Sequence, residues 1–152
     1  MVLIKTPALD TTLQAPDFNL ESAEGKNYRF KDIAGKNGTV VMFICNHCPY
    51  VQGIASRLPP EMAALQKAGI GVVAIMPNDP ESHPEDNPDH MRAFAKKHQF
   101  NFPYLIDHTG DVARAYGAVC TPDFFGFNKN KNLVYRGRLD SAGHQPADKT
   151  TT

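Results

Sequence analysis

Two apolar runs leave this chain few folds to choose from. "TVVMFIC" (39–45) and "IGVVAIM" (70–76) are continuous, β-branched and rich in large apolar groups, without the polar alternation of a half-exposed strand. A strand that is apolar on both faces has to be covered on both faces. Between the two runs, "PYVQGIASRL" reads as a helix interrupted at Pro59-Pro60. "EMAALQKAG" then resumes it and stops at Gly69, a C-cap signal. Strand, helix and strand in this order make a βαβ unit.

The flanking segments extend the pattern. "APDFNLES" and "KNYRF" predict two short strands around the turn "AEGK", and "KDIAGKNG" a helical turn and loop. "PNDPESHPEDNP" holds four prolines and predicts a loop; "DHMRAFAKKHQF" has helical spacing. "FPYLI" predicts a short strand and "TGDVARAYG" a helix with a Thr or Asp start and a Gly end. "DFFGF" and "NLVYRGRL" alternate and are joined by "NKNK", which predicts a hairpin. A βαβ half followed by a ββ half is the element order of a thioredoxin-like α/β fold: a central mixed sheet flanked by helices, here with an N-terminal hairpin in front. The polar end "DSAGHQPADKTTT" predicts a frayed tail over 141–152, without the last helix that usually follows such a hairpin. Some apolar sheet surface is then expected to lie exposed.

With 152 residues the chain is expected to form a single domain over 1–152, its core at about 15–140. A formal net charge of zero, with acids and bases interspersed, argues against nucleic-acid or anionic-membrane partners. No apolar stretch approaches the about 18 residues of a membrane span. The start "MVLIKTPALD" lacks the order of a secretory leader, since its lysine follows the short apolar run. A cytoplasmic location is the expectation.

Three cysteines are too few and too unevenly spread for a secreted disulfide framework, and Cys45 and Cys48 stand three apart in "ICNHCPYV". Pro49 sets the register, because proline suits the first helical position, where its missing N–H has no partner. Cys48 is then the N-cap, facing unpaired N–H groups and the positive end of the helix dipole. Both favour thiolate and should lower its pKa below about 8.5. His47, when protonated, pushes the same way. Cys48 is thus the candidate nucleophile. Cys45, expected as the last residue of the strand, is partly buried and placed to act as the resolving thiol. A disulfide wants Cα atoms roughly 4.4–6.8 Å apart, so the pair needs a turn at Asn46-His47, which asparagine tolerates. The plainer reading makes both cysteines small hydrophobes under a helix; it suits Cys45 better than Cys48.

In "CTPDFF" (120–125), Thr121-Pro122 precedes a strand and is a candidate cis peptide. In that geometry Thr121 would offer its N–H and C=O to whatever approaches Cys48. The alternative is a trans proline starting an edge strand. Cys120 is a second candidate resolving thiol or a bystander, with bystander preferred. His83, His90, His98, His108 and His144 read as solvated surface residues. The His- and acid-rich loop before residue 90 shows no recognised metal spacing.

"APDFNL", "VVMFICNHCPYV", "DVARAYGAVCTPDFFGF" and "LVYRGRLD" together resemble the thioredoxin-like proteins of the peroxiredoxin-related AhpC/TSA group, and within it a subgroup carrying Cys-Asn-His-Cys-Pro. The resemblance spans roughly 15–140 and implies that Thr121-Pro122 is the family's cis-proline. Cys48 falls at the peroxidatic cysteine of peroxiredoxins and at the first cysteine of the Cys-Pro-x-Cys motif in periplasmic thioredoxin-like reductases. The departures are chemical. Val51 stands where that motif has its second cysteine. Val41 and Cys45 stand where peroxiredoxins have proline and Thr/Ser, and no arginine directly precedes "FFGF".

Rapid O–O cleavage requires donors that stabilise charge on the leaving oxygen. Thiol–disulfide exchange requires a poised thiolate and a nearby second thiol. The sequence supplies the second set better. The expectation is a thiol–disulfide oxidoreductase in which Cys48 attacks, Cys45 resolves, and Thr121, Pro122, His47 and Pro49 contact the substrate. It would act on a protein or small-molecule disulfide and be recharged by a thiol donor that the sequence does not identify, with no cofactor and no resident metal. A thiol peroxidase using Cys48 is the second reading. The third is a carrier of Cu(I) or Zn through Cys45, His47 and Cys48, since soft thiolates with an imidazole suit those ions. Oligomeric state is not legible.

Overall fold

The computed structural model describes residues 14–46, 48–77, 86–118 and 122–137. A seven-stranded sheet with the order β2-β1-β5-β4-β3-β6-β7 forms its centre. β1 (Asn19–Ser22) and β2 (Asn27–Arg29) are the predicted front hairpin, and α1 (Phe30–Ile33) is the helical turn after it. β3 (Gly38–Phe43) and β4 (Ile70–Met76) are the two apolar runs, paired in parallel with Val41 opposite Val73 and Phe43 opposite Ile75. β5 (Tyr104–Ile106) continues the parallel set beside β4. β1 adds antiparallel to β5 on one flank; β6 (Asp123–Asn128) and β7 (Leu133–Gly137) add antiparallel on the other. This is the thioredoxin-like arrangement, with the front hairpin extending the sheet beyond β5.

The uniform apolarity of β3 and β4 follows from their central position. Alternate side chains feed two cores. Met42, Ile44, Val72, Ala74 and Met76 point to one face, where they meet Val51, Ile54, Leu58, Met62 and Met91. These come from α2 (Pro49–Ile54), α3 (Leu58–Lys67) and α4 (Pro88–Lys97). Val41, Phe43, Val73 and Ile75 point to the other face, covered by α1 and by α5 (Asp111–Tyr116). That second core is aromatic: Phe43, Tyr116 and Phe125 meet edge-on with ring centres 5.5–5.7 Å apart, the geometry the ring quadrupoles favour. No helix among the described residues is long and apolar enough to cross a membrane.

Two boundaries differ from expectation. Pro59-Pro60 do not interrupt the helix. α2 ends at Ile54, a 3₁₀ turn covers Ala55–Arg57, and the prolines lie in the first turn of α3. First-turn N–H groups have no intrahelical acceptor, so proline starts a helix there without loss. β3 ends at Phe43, not Cys45. Ile44 still donates to the Ile75 carbonyl at 3.0 Å, but the Asn46 N–H, two residues on, turns to a side chain. Residues 78–85, within the expected loop, the expected polar tail over 141–152 and the question of a final helix lie outside the described residues.

One close approach is required of glycine. A Cβ on Gly71 would lie 1.8 Å from the Ile33 carbonyl oxygen, so the second position of β4 has room for a hydrogen only.

Candidate active site

The sheet brings the end of β3, the start of α2 and the start of β6 to one edge, beyond the C-terminal ends of the parallel strands, where α/β sheets place their ligands. Cys48 is the N-cap of α2 and Pro49 its first residue. The Cys48 backbone is extended (φ −74°, ψ 124°), and its carbonyl accepts the first helical bond from the Gln52 N–H at 2.9 Å. Its side chain is half-buried and packs on the α2–α4 core. Tyr50, the second residue of the helix, is 47% exposed.

Cys45 is a member of that core and only 2% exposed. Both cysteines are present as thiols. They span the strand–helix junction, and the chain between them is held at Asn46 from three directions. The Asn46 N–H donates to Asp86 Oδ1 at 2.8 Å, and its side-chain oxygen accepts from the Tyr104 hydroxyl at 2.9 Å. Its carbonyl accepts from Gln52 Nε2, also at 2.9 Å. Asn46, Asp86 and Tyr104 are all buried. Burial first, and then the neighbouring Cys45 and Asp86, keep the Tyr104 hydroxyl protonated well above the usual tyrosine range. It is therefore a standing donor to Asn46.

Pro122 immediately precedes β6, whose first residue, Asp123, pairs in register with Phe43. That register puts Pro122 at the sheet edge from which Cys45 and Cys48 extend. A second buried pair braces this loop. Arg136 Nη2 donates to Asp123 Oδ2 at 3.1 Å and to the Gly117 carbonyl at 2.6 Å, and the guanidinium lies 4.7 Å from the Phe125 ring centre. His47, Cys120 and Thr121 lie outside the described residues, and with them the geometry of the Thr121-Pro122 bond.

Sequence reading missed the supports of the pair. Asp86, Tyr104 and Gln52 lie on three separate stretches of the chain, and nothing local in "PEDNP" or "FPYLI" points to Asn46. Of the histidines, His90 and His108 are exposed as expected, whereas His83 and His144 lie outside the described residues. His98 departs from the solvated reading. It is half-buried, packs on Phe94 with ring centres 4.6 Å apart, and lies 2.9 Å from Ser56 Oγ through Nδ1. Among the described residues no group of three or more His, Cys, Asp or Glu could hold a metal ion; the carrier trio includes His47, outside that set.

A family model described as the AhpC/TSA family matches residues 11–136. The chain is 31% identical over 119 residues to the thiol-disulfide oxidoreductase ResA of Geobacillus thermodenitrificans, covering 76% of this chain and 62% of that protein. It is 29% identical over 111 residues to chloroplastic peroxiredoxin Q of Gentiana triflora, covering 73% of this chain and 46% of that protein. The chain thus spans about half to two thirds of the length of these curated relatives. Among solved structures, an uncharacterized conserved protein from Geobacillus kaustophilus is 40% identical with a TM-score of 0.81, covering 91% of this chain and 76% of that one.

Proposed function

This chain belongs to the AhpC/TSA family, and we propose that it is a thiol–disulfide oxidoreductase in which Cys48 attacks and Cys45 resolves. The observation that carries the proposal is the placement of the two sulfurs: one half-exposed at the opening of α2, the other buried three residues behind it. The opening of a helix favours thiolate over thiol through its unpaired N–H groups and dipole. Attack by the Cys48 thiolate on a disulfide gives a mixed disulfide and releases one thiolate. Cys45, less accessible, reaches the Cys48 sulfur from behind and releases the second. Pro122, beside the same edge, and Tyr50, exposed in the first turn of α2, form the surface against which the bound disulfide lies. Thr121, His47 and Pro49 belong to this surface in the same proposal. The substrate is a protein or small-molecule disulfide, and a thiol donor returns the pair to its reduced form.

Replacing Cys48 with Ser should abolish reduction of a disulfide substrate, while Cys45→Ser should trap the mixed disulfide on Cys48. Retained turnover in the Cys48 variant would refute the mechanism.

The likeness to peroxiredoxin Q supports a second reading, peroxide reduction at the same Cys48. Two features weigh against it: Cys45 stands at the position of the hydroxyl, and the guanidinium of Arg136, on β7, is engaged by Asp123 and Gly117. Stopped-flow mixing with hydrogen peroxide separates the readings. A dedicated peroxidase oxidises Cys48 far faster than a simple thiol reacts, and an exchange enzyme does not.

A further inference from the structure

Three residues from three stretches of the chain converge on the one described residue between the two cysteines. Asp86 precedes α4, Tyr104 opens β5 and Gln52 lies in α2; each bonds a different group of Asn46, at 2.8–2.9 Å. Asp86 is wholly buried. A carboxylate in that position carries a desolvation cost, which its bond to a main-chain N–H offsets. The acceptor is spent on the loop whose shape the chemistry depends on. A fully extended step from Cys45 to Cys48 would put the Cα atoms about 10 Å apart, and a disulfide requires roughly 4.4–6.8 Å.

We propose that Asp86 is a positioning residue for the redox pair: by holding the Asn46 N–H, together with Tyr104 and Gln52, it fixes Asn46 behind Cys45 so that Cys45 reaches the Cys48 sulfur. The inference rests on the thiol–disulfide reading and assigns Asp86 to its second step. In the first step the Cys48 thiolate attacks oxidised glutathione, forming a Cys48–glutathione bond and releasing one glutathione thiolate. In the second, Cys45 loses its proton to solvent and attacks the Cys48 sulfur. The protein disulfide forms and the second glutathione thiolate leaves. The protein dithiol loses two electrons, and one glutathione disulfide becomes two thiols. A misplaced Cys45 slows only the second step.

The test is a single turnover of pre-reduced protein with oxidised glutathione, the mixed disulfide being followed by acid quench and mass measurement. Asp86→Ala should leave the attack rate within about threefold and slow resolution at least about tenfold, the scale on which small misplacements act. The Cys45–Cys48 disulfide should form about tenfold less favourably, a shift of about 30 mV toward a more oxidising potential. Asp86→Asn retains an acceptor oxygen and should restore both quantities. Gln52 is exposed, so Gln52→Ala tests the same loop without loss of packing. It and Tyr104→Phe should slow resolution at least about threefold, and they decide the matter if Asp86→Ala does not fold.

Wild-type resolution and potential in folded Asp86→Ala, or in both Gln52→Ala and Tyr104→Phe, would overturn the inference. So would an Asp86→Asn protein as impaired as the alanine variant. Wild-type protein that forms no Cys48 mixed disulfide would instead remove the oxidoreductase reading, and this inference with it.

Discussion

Cys45 and Cys48 are the same residue three positions apart, and the fold gives them different surroundings. One is sealed among Ile44, Val51 and Met76; the other stands half-exposed where α2 opens. Environment also divides the histidines. Desolvation, and then the Lys97 charge, hold His98 below its ordinary 6.5. The unfolded chain therefore takes up this proton at a higher pH than the folded one. The contribution of the site to stability is whole above 6.5 and is lost as pH falls from there through the lowered folded-state value. Urea midpoints should fall across that window, and His98→Gln should flatten the slope. An unchanged slope in the variant would show that His98 does not titrate differently in the two states.

At the scale of elements, the end of α5 and the start of β6 are joined through a side chain of β7. Arg136 ties Gly117, at the end of α5, to Asp123, the first residue of β6, and so grips both ends of the segment containing Thr121-Pro122. Its side chain is 8% exposed and that of Asp123 2%. Removing one partner of such a pair strands a buried charge, so Arg136→Ala should cost about 3–5 kcal/mol by urea denaturation. Adding Asp123→Asn should recover part of that loss, and strict additivity of the two changes would mean that the pair is uncoupled. The elements themselves were largely legible. Unbroken apolar runs marked β3 and β4, Pro49 marked the start of α2, and the C-cap at Gly117 marked the end of α5. The misreading of Pro59-Pro60 has a local cause, because proline signals a helix break and a helix beginning with the same residue type.

Across the whole molecule, one sheet serves two cores. Met91 is buried on one face and Leu105 on the other, both fully. Either residue changed to alanine should cost about 2–5 kcal/mol, by lost transfer energy and the cavity left behind. Because β3 and β4 contribute to both faces, the two variants should shift one shared transition. The chain has no tryptophan, so tyrosine fluorescence and far-UV circular dichroism are the probes to compare. Their separation in either variant would show that the faces unfold independently.

Local pattern was enough to reveal the class of fold and the place of Cys48 at the start of a helix. Periodicity of two against continuous apolarity, a proline at a helix start and a cysteine before it are all encoded within a few residues of one another. The surroundings of the pair were beyond that reach. Asp86 is 40 residues from Asn46, Tyr104 is 58 away, and Arg136 is 13 from Asp123. Each is an unremarkable polar residue until packing buries it, and a buried donor or acceptor takes its partner from whichever element the sheet order brings alongside. That order, with β5 beside β4 and β6 beside β3, is a property of the folded chain as a whole.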